Sequence, residues 1–205
     1  MILLVAATHN ELDVPMSALR VEKLICGIGP VEAAASVAHA LAMKRYRLVI
    51  NVGIAGALPG TLNIGSAVVV HDEFYPLELE TGVQLALPDA VHVVTHALSD
   101  AHLVAALVHR GFPSVRGLTV SRVTSTHDTA RRIAAHDVQV ESMEGFAVLR
   151  AAEMAGIPAF EIRGISNFFG VRSESRWDFL AGVKASQHIL DELLTHLSQD
   201  GSHGT

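Results

Sequence analysis

The sequence predicts an α/β layer sandwich with a mainly parallel central sheet, on two observations. Short apolar runs alternate with helical patterns along the chain, which is typical of strands covered on both faces by helices. The composition is 50% hydrophobic but only 5% aromatic, which favours closely packed helix-on-sheet layers over an aromatic β-sandwich. A length of 205 residues suits one domain, which we place at 1–198, followed by a flexible polar tail at 199–205.

The first half of the chain contains four predicted strands and one predicted helix. The strands are expected at Ile2–Ala7, Lys23–Gly27, Leu48–Val52 and Ser66–His71, and the helix at Val31–Lys44. Pro30 suits the first turn of that helix, because its missing N–H has no partner there. Gly53–Gly56 is predicted to be a glycine turn, and residues 72–96 an irregular excursion.

The second half repeats the alternation. Strands are expected at Arg116–Val123, Val138–Ser142 and Pro158–Ile165. Helices are expected from a Ser99-Asp100 cap to Arg110, and at Asp128–His136, Phe146–Ala155 and Trp177–Leu197. Ligands of such sheets collect at the carboxyl ends of the strands. The strand exits are therefore the candidate site segments: Thr8–Glu11, Gly53–Gly56, Thr124–His127, Ser142–Gly145 and Ser166–Phe169.

Composition excludes several classes of partner. The net charge is −6 and no basic run is present, so a nucleic-acid partner is not expected. The apolar N-terminus is short and lacks the basic segment of a signal peptide. No stretch reaches the about 18 apolar residues of a membrane span. The expectation is a cytoplasmic protein with no membrane partner.

Cofactor and metal motifs are also missing from the sequence. The single cysteine, Cys26, rules out an internal disulfide and is expected to be a small core residue. The 12 histidines are scattered without metal-ligand spacing, so no metal site is predicted. The glycines match neither a dinucleotide fingerprint nor a P-loop, and no G-x-S-x-G is present, so no cofactor is expected.

Acidic residues stand at two strand exits. Glu11 follows the first strand by four residues, where a carboxylate can accept a proton from water; alternatively it is a solvated helix-start acid. Glu141 and Glu144 lie three apart, and strand alternation predicts that only one, Glu144, reaches the pocket. A carboxylate there can hold two vicinal ribose hydroxyls. Met143 between them is either a soft apolar floor or ordinary core.

Two further exits carry polar or glycine residues. Asn51–Gly56 lets backbone N–H groups approach a ligand, unless it is only a tight turn. Asn167, at the end of Arg163–Asn167, presents an acceptor and donors in one plane that suit the edge of a heterocycle, unless it is only a turn residue. Downstream, Arg172 and Arg176 precede Trp177 and are candidates to bind an anionic substrate tail.

These exits together resemble the purine nucleoside phosphorylase and nucleosidase superfamily, over nearly the whole chain. The resemblance is carried by Asn51–Gly56, Glu141–Gly145 and Arg163–Asn167. It implies a three-layer α/β/α sandwich with a mixed sheet, a small nucleoside substrate and a homodimer or higher homo-oligomer. The substrate contacts it implies are Ile54, Ala55, Gly56, Ser125, Thr126, Ser142, Met143, Glu144, Arg172 and Arg176.

Within the superfamily the hydrolytic branch looks closer. Its adenine-releasing nucleosidases carry a water-activating glutamate at the position of Glu11, where a carboxylate would repel phosphate. They also carry an aspartate that protonates the purine, whereas this chain has Asn167. An amide accepts from a protonated N7 and donates to O6, which fits a 6-oxopurine and not adenine.

The glutamate and asparagine motifs, with the Arg172–Trp177 segment, are similar to the futalosine hydrolases. That resemblance implies hydrolysis of futalosine to hypoxanthine and dehypoxanthinyl futalosine in menaquinone biosynthesis, with Glu11 and Asn167 as catalytic residues. Three alternatives stay open: an adenine-releasing nucleosidase for methylthioadenosine, S-adenosylhomocysteine or aminofutalosine, a purine nucleoside phosphorylase, and a catalytically silent nucleoside-binding protein.

Overall fold

The computed structural model describes residues 1–12, 19–76, 92–170 and 177–200. Within these ranges, eight strands form one sheet in the order β2-β1-β3-β7-β6-β4-β5, and β8 pairs with both β3 and β4. The strands are β1 (Ile2–Ala6), β2 (Val21–Ile25), β3 (Leu48–Ala57), β4 (Ala67–Phe74), β5 (His96–Leu98), β6 (Ser114–Thr119), β7 (Val140–Ser142) and β8 (Ala159–Phe168).

Five helices and one 3₁₀ turn accompany the strands in the described ranges. They are the turn His9–Glu11, α1 (Pro30–Met43), α2 (Ala101–His109), α3 (His127–Ala134), α4 (Gly145–Met154) and α5 (Phe179–Asp200). Pro30 opens α1, and the Asp100 carboxylate accepts from the backbone of His102 and Leu103 at the start of α2. The predicted cap of that helix is confirmed, because a carboxylate satisfies N–H groups that have no partner within the first turn.

The alternation of β1 explains the three layers. Ile2, Leu4 and Ala6 pack on one face, in a core shared with α2 and α5. Leu3 and Val5 point to the opposite face, towards α1 and α4. A strand buried on both faces must be apolar throughout, which is why β1 reads as one continuous run.

The sheet is mixed, as the resemblance implied, and mainly parallel, as the strand pattern predicted. Among the described strands five pairs are parallel and three are antiparallel. The predicted glycine turn at Gly53–Gly56 is wrong: these residues continue β3. They stay extended because β8 pairs along one side of β3 and β7 pairs with its end, at Gly56 and Ala57.

The predicted excursion over 72–96 is also partly wrong. β4 runs on to Phe74, and His96–Leu98 pairs with it as β5, so both ends of the excursion are strand. Residues 77–91 lie outside the described residues. Of the predicted tail, 199 and 200 belong to the end of α5 and 201–205 lie outside the described residues.

Candidate active site

A cavity of about 260 Å³ lies at the carboxyl ends of β1, β3 and β8. Its polar lining includes three carboxyl side chains, those of Glu11, Glu141 and Glu144. Eight predicted site residues line this cavity together: Glu11, Ile54, Ala55, Gly56, Ser142, Met143, Glu144 and Asn167. Sheet topology thus brings residues that are far apart in sequence to one edge.

Glu11 is held rigidly at one end of the cavity. Its Oε2 accepts from the backbone N–H and the hydroxyl of Thr8, at 2.9 and 2.7 Å. Its Oε1 accepts from the backbone N–H of Ile54 in β3, at 3.2 Å. Only 4% of Glu11 is exposed, so it is not the solvated helix-start acid of the alternative interpretation.

Gly53 makes room for this carboxylate. A Cβ atom at position 53 would lie 2.9 Å from Oε1 of Glu11 and 2.5 Å from Nη1 of Arg163. Real Cβ atoms essentially never approach so closely. Glycine here therefore lets two charged side chains rest against the backbone of β3.

Glu144 lies at the start of α4 and faces the same cavity. Its Oε1 accepts from the backbone N–H of Gly29 at 2.9 Å, and its Oε2 lies 3.9 Å from Nη1 of Arg163. Burial raises the pKa of Glu144, while the Arg163 guanidinium and the Gly29 N–H oppose that rise. The site thus combines a buried carboxyl with a cation directly behind it.

Arg163 is the buried cation behind the cavity. Its Nε donates to Oε1 of Glu161 at 2.7 Å, and neither side chain is exposed beyond 2%. Burial lowers the pKa of Arg163, but the carboxylates of Glu161 and Glu144 outweigh it and raise that pKa overall. A buried cation with several acidic neighbours keeps its charge and fixes their geometry.

A third acid, Glu73, completes this buried network. Burial and the neighbouring Glu161 carboxylate raise the pKa of Glu73 well above its ordinary value, although the Thr119 hydroxyl donates to it at 2.7 Å. Gly145 provides the space: a Cβ atom there would lie 2.5 Å from the Glu73 carboxyl carbon and 2.6 Å from Oε1 of Glu161. The glycine after Glu144 is thus a packing requirement.

Glu141 also lines the cavity, so the prediction that only one of Glu141 and Glu144 reaches the pocket is wrong. The cavity spans both the end of β7 and the start of α4, so strand alternation does not separate the two side chains. Oε1 of Glu141 accepts from the backbone N–H of Thr124 at 3.1 Å. Burial raises the pKa of Glu141 to about 7.

Asn167 lies at the far end of β8 with 2% of its surface exposed. Its Oδ1 accepts from the Ser166 hydroxyl at 2.8 Å, and its Nδ2 donates to the carbonyl of Phe168 at 3.3 Å. Each group of the amide therefore keeps one further hydrogen-bonding position. These bonds hold the amide plane at the cavity.

Apolar side chains form the remaining walls, and most of them were not singled out from the sequence. They are Ile28, Val120, Val123, Met143, Trp177 and Phe179. Trp177 lines the cavity and is half exposed, so part of its ring faces solvent. Met143 and Trp177 were the two named from the sequence, because each stands beside a polar motif.

Two predicted site residues, Ser125 and Thr126, do not line the cavity, and two others fall outside the described ranges. The Thr126 hydroxyl instead accepts from the backbone N–H of Thr129 and caps α3, a role that Ser and Thr before a helix commonly take. Arg172 and Arg176 lie outside the described residues.

The described residues contain neither a metal-binding cluster nor a membrane-spanning helix. Among residues 1–12, 19–76, 92–170 and 177–200, no group of three or more His, Cys, Asp and Glu is arranged to hold a metal ion. None of the described helices is long and apolar enough to cross a membrane. Cys26 is a buried free thiol in the core beside α1.

Sequence comparisons identify the relatives of this chain. The family model described as "Phosphorylase superfamily" matches residues 17–197. A futalosine hydrolase of Acidothermus cellulolyticus is 35% identical, covering 87% of this chain and 77% of that protein. A futalosine hydrolase of Streptomyces coelicolor is 36% identical over 75% of this chain and 70% of that protein. A 5'-methylthioadenosine/S-adenosylhomocysteine nucleosidase of Maridesulfovibrio salexigens is 28% identical over 74% of this chain and 70% of that protein.

Solved structures confirm the three-layer fold. A 5'-methylthioadenosine/S-adenosylhomocysteine nucleosidase from S. pneumoniae, solved with a transition-state inhibitor, superposes with a TM-score of 0.79 at 21% identity. The match covers 96% of this chain and 99% of that one. The chain belongs to the phosphorylase superfamily, and within it the chain is similar to the futalosine hydrolases.

Proposed function

We propose that this protein is an N-glycosyl hydrolase that cleaves futalosine to hypoxanthine and dehypoxanthinyl futalosine, in the cytoplasmic biosynthesis of menaquinone. The observation that carries the proposal is the pairing of a carboxylate, Glu11, with an amide, Asn167, in one cavity. The first can activate water, and the second can bind a 6-oxopurine. The futalosine hydrolases among the relatives support the same substrate.

Glu11 is the proposed general base. Its carboxylate is fixed by three donors, on Thr8 and Ile54, so it needs no reorganisation to accept a proton from water. The water oxygen attacks the ribosyl carbon as its proton passes to Glu11. A general base of this kind contributes about 10²–10⁴-fold in rate.

Glu144 is the proposed ribose ligand. As the glycosidic bond breaks, positive charge grows on the sugar, and a nearby carboxylate stabilises that charge. The same carboxylate accepts from the vicinal hydroxyls. Arg163, 3.9 Å behind it, opposes the effect of burial and favours the ionised form that this role needs. Met143 packs under the sugar in this proposal.

Asn167 is the proposed base ligand. Its Nδ2 donates to O6 of a 6-oxopurine, and its Oδ1 accepts from N7–H of the departing base. The 6-amino group of adenine is itself a donor and would face the amide donor unfavourably. The arrangement therefore supports hypoxanthine as the leaving base.

The charge of the cavity supports water over phosphate as the nucleophile. Its lining contains three carboxyl groups, and none of its described lining residues is Lys or Arg. A phosphate dianion near Glu11 would be repelled in this partly desolvated site. The charge of the cavity therefore favours hydrolysis over phosphorolysis.

An adenine-releasing nucleosidase is the second candidate. It is favoured by the 28% identical methylthioadenosine/S-adenosylhomocysteine nucleosidase among the relatives and opposed by Asn167.

Arg172 and Arg176 remain proposed ligands for the carboxylate of the futalosine tail. We also propose one nucleosidase domain over 1–198 and a homodimer or higher homo-oligomer.

One assay tests the proposal against its rivals. The protein is incubated with futalosine, methylthioadenosine and inosine, each with and without phosphate, and the released base is identified by chromatography. Phosphate-independent release of hypoxanthine from futalosine is expected. Release of adenine from methylthioadenosine alone would favour the second candidate, and a phosphate requirement would indicate a phosphorylase. Binding without turnover would show a silent nucleoside-binding protein.

A further inference from the structure

Glu141 is the carboxyl group of the cavity to which the proposed mechanism gives no role. It is 4% exposed, and its Oε1 accepts from the Thr124 N–H. Its Oε2 has no hydrogen-bond partner among the described residues, and no described Lys or Arg forms an ion pair with it. Leaving a charged oxygen buried and unpaired costs at least about 1–3 kcal/mol, so the site has a reason to hold this group neutral.

The strand register places Glu141 and Asn167 on either side of Gly56. Gly56 of β3 pairs with Glu141 of β7 on one side and with Asn167 of β8 on the other. A Cβ atom at position 56 would lie 3.5 Å from Cγ of Glu141 and 3.0 Å from Nδ2 of Asn167. Both side chains therefore lie over the same face of Gly56, at the end of the cavity assigned to the base.

The hydrogen bond from Thr124 determines which oxygen carries the proton. Oε1 accepts an N–H and is therefore the carbonyl oxygen of the neutral acid, which leaves the proton on Oε2. Burial raises the pKa of Glu141 to about 7, with donation from Thr124 only partly opposing it. Near neutral pH the group is thus poised to give up a proton, which is the property a general acid needs.

We propose that Glu141 is the general acid of this site and donates its Oε2 proton to the departing purine. This inference rests on the proposed nucleosidase function. The C1′–N9 bond breaks and its electron pair moves into the purine, whose N7 takes the proton of Glu141. Water adds its oxygen to C1′ and its proton to Glu11. Glu141 ends as a carboxylate and Glu11 as an acid, and exchange with solvent restores both.

This assignment resolves a difficulty at Asn167. An amide can bind a protonated base through Oδ1, but it cannot supply the proton at neutral pH. Glu141 supplies it from β7, on the other side of β3 from Asn167, and Asn167 then accepts from the new N7–H. The departing base leaves as neutral hypoxanthine, a better leaving group than its anion.

The test compares two leaving groups in the Glu141→Gln variant. Glutamine keeps the acceptor for Thr124 and the neutral charge but donates no proton. Release of hypoxanthine from futalosine is expected to fall by about 10²–10⁴-fold. Release of p-nitrophenol from p-nitrophenyl β-D-ribofuranoside is expected to fall far less, since this anion leaves without protonation. The fall of kcat/KM above about pH 7 should disappear in the variant.

Two controls make the outcome specific. Glu11→Gln should lose both activities, because water must be activated for either leaving group, whereas Glu153→Gln, an exposed acid of α4, should keep both. Equal losses on the two substrates, or an unchanged alkaline limb in a folded Glu141→Gln, would overturn the inference. If the unmodified protein cleaves only futalosine, the alkaline limb alone decides. If it cleaves neither, the proposed function fails instead.

Discussion

The end of the cavity proposed to bind the sugar (Glu11 and Glu144) and the end proposed to bind the base (Glu141 and Asn167) place their buried acids in different environments. At the sugar end, Glu11 has three donors and Glu144 has an N–H and the Arg163 cation. At the base end, the hydroxyl and the backbone N–H of Thr124 both act on Glu141 as donors, and no described cation lies against it. Burial raises the pKa of both Glu144 and Glu141, but the Arg163 cation opposes that rise only at Glu144, because a nearby cation favours the charged form. One cavity can thus hold both a base and an acid.

The largest expected effect is on the sugar end. Glu11→Gln keeps the size of the side chain and an acceptor oxygen but removes the basic group. We expect kcat to fall by about 10²–10⁴-fold while KM changes little, because the lost interaction is made in the transition state. Steady-state kinetics on futalosine measure both constants. An unchanged kcat would remove Glu11 from the mechanism.

The next effect tests the cation that stabilises the sugar end. Arg163→Met removes the charge and leaves Glu161 buried without its partner, which should cost about 3–5 kcal/mol of unfolding free energy. Urea unfolding measures the loss. The double variant Glu161→Gln/Arg163→Met is the control and should recover part of it, since position 161 then carries no unpaired charge. Equal stability of the two variants would argue against the ion pair.

The base end predicts a pH dependence of stability. The pKa of Glu141 rises from an ordinary value of 4.5 to about 7 on folding, so the folded state binds the proton more tightly. The contribution of Glu141 to the free energy of unfolding is then greatest below about pH 4.5. It falls as the pH rises to about 7, by at most about 3 kcal/mol. Glu141→Gln should show a smaller fall between these pH values, measured by urea unfolding. Parallel slopes in the two proteins would contradict the assignment.

The smallest effect concerns the choice of base. Asn167→Asp replaces the amide donor by an acceptor, which suits the 6-amino group of adenine better than a 6-oxo group. We expect the ratio of kcat/KM for methylthioadenosine to that for futalosine to rise by about tenfold, the value of one modest hydrogen-bond preference. Competition between the two substrates measures the ratio. A ratio that stays constant or falls would show that Asn167 does not discriminate between the two purine bases.

Local sequence signals predicted the parts of the fold and site that depend on neighbouring residues. The Asp100 cap, the buried β1 and the exits that carry Glu11, Glu144 and Asn167 were all predicted in this way. The continuation of β3 through Gly53–Gly56 was not predicted, because those glycines stay extended only through pairing with β7 and β8. Tertiary context overrode the local preference of glycine for turns.

The roles of Arg163 and Glu141 could not be predicted for a related reason. Arg163 contacts Glu144 and reaches Glu161 within its own strand, and nothing in their spacing distinguishes this pair from a solvated one. Glu141 was set aside by strand alternation, which does not describe a cavity that extends past the end of the strand. The properties of both side chains depend on their burial, which can be seen only in the assembled sheet.

Incorporation of ¹⁸O most directly tests the central proposal, that Glu11 activates water as the nucleophile. Futalosine is cleaved in H₂¹⁸O containing phosphate, and the sugar product and released base are analysed by mass spectrometry. We expect one ¹⁸O atom at the anomeric position of dehypoxanthinyl futalosine, with unlabelled hypoxanthine as the other product. A sugar phosphate, or a sugar product without label at its first appearance, would contradict it.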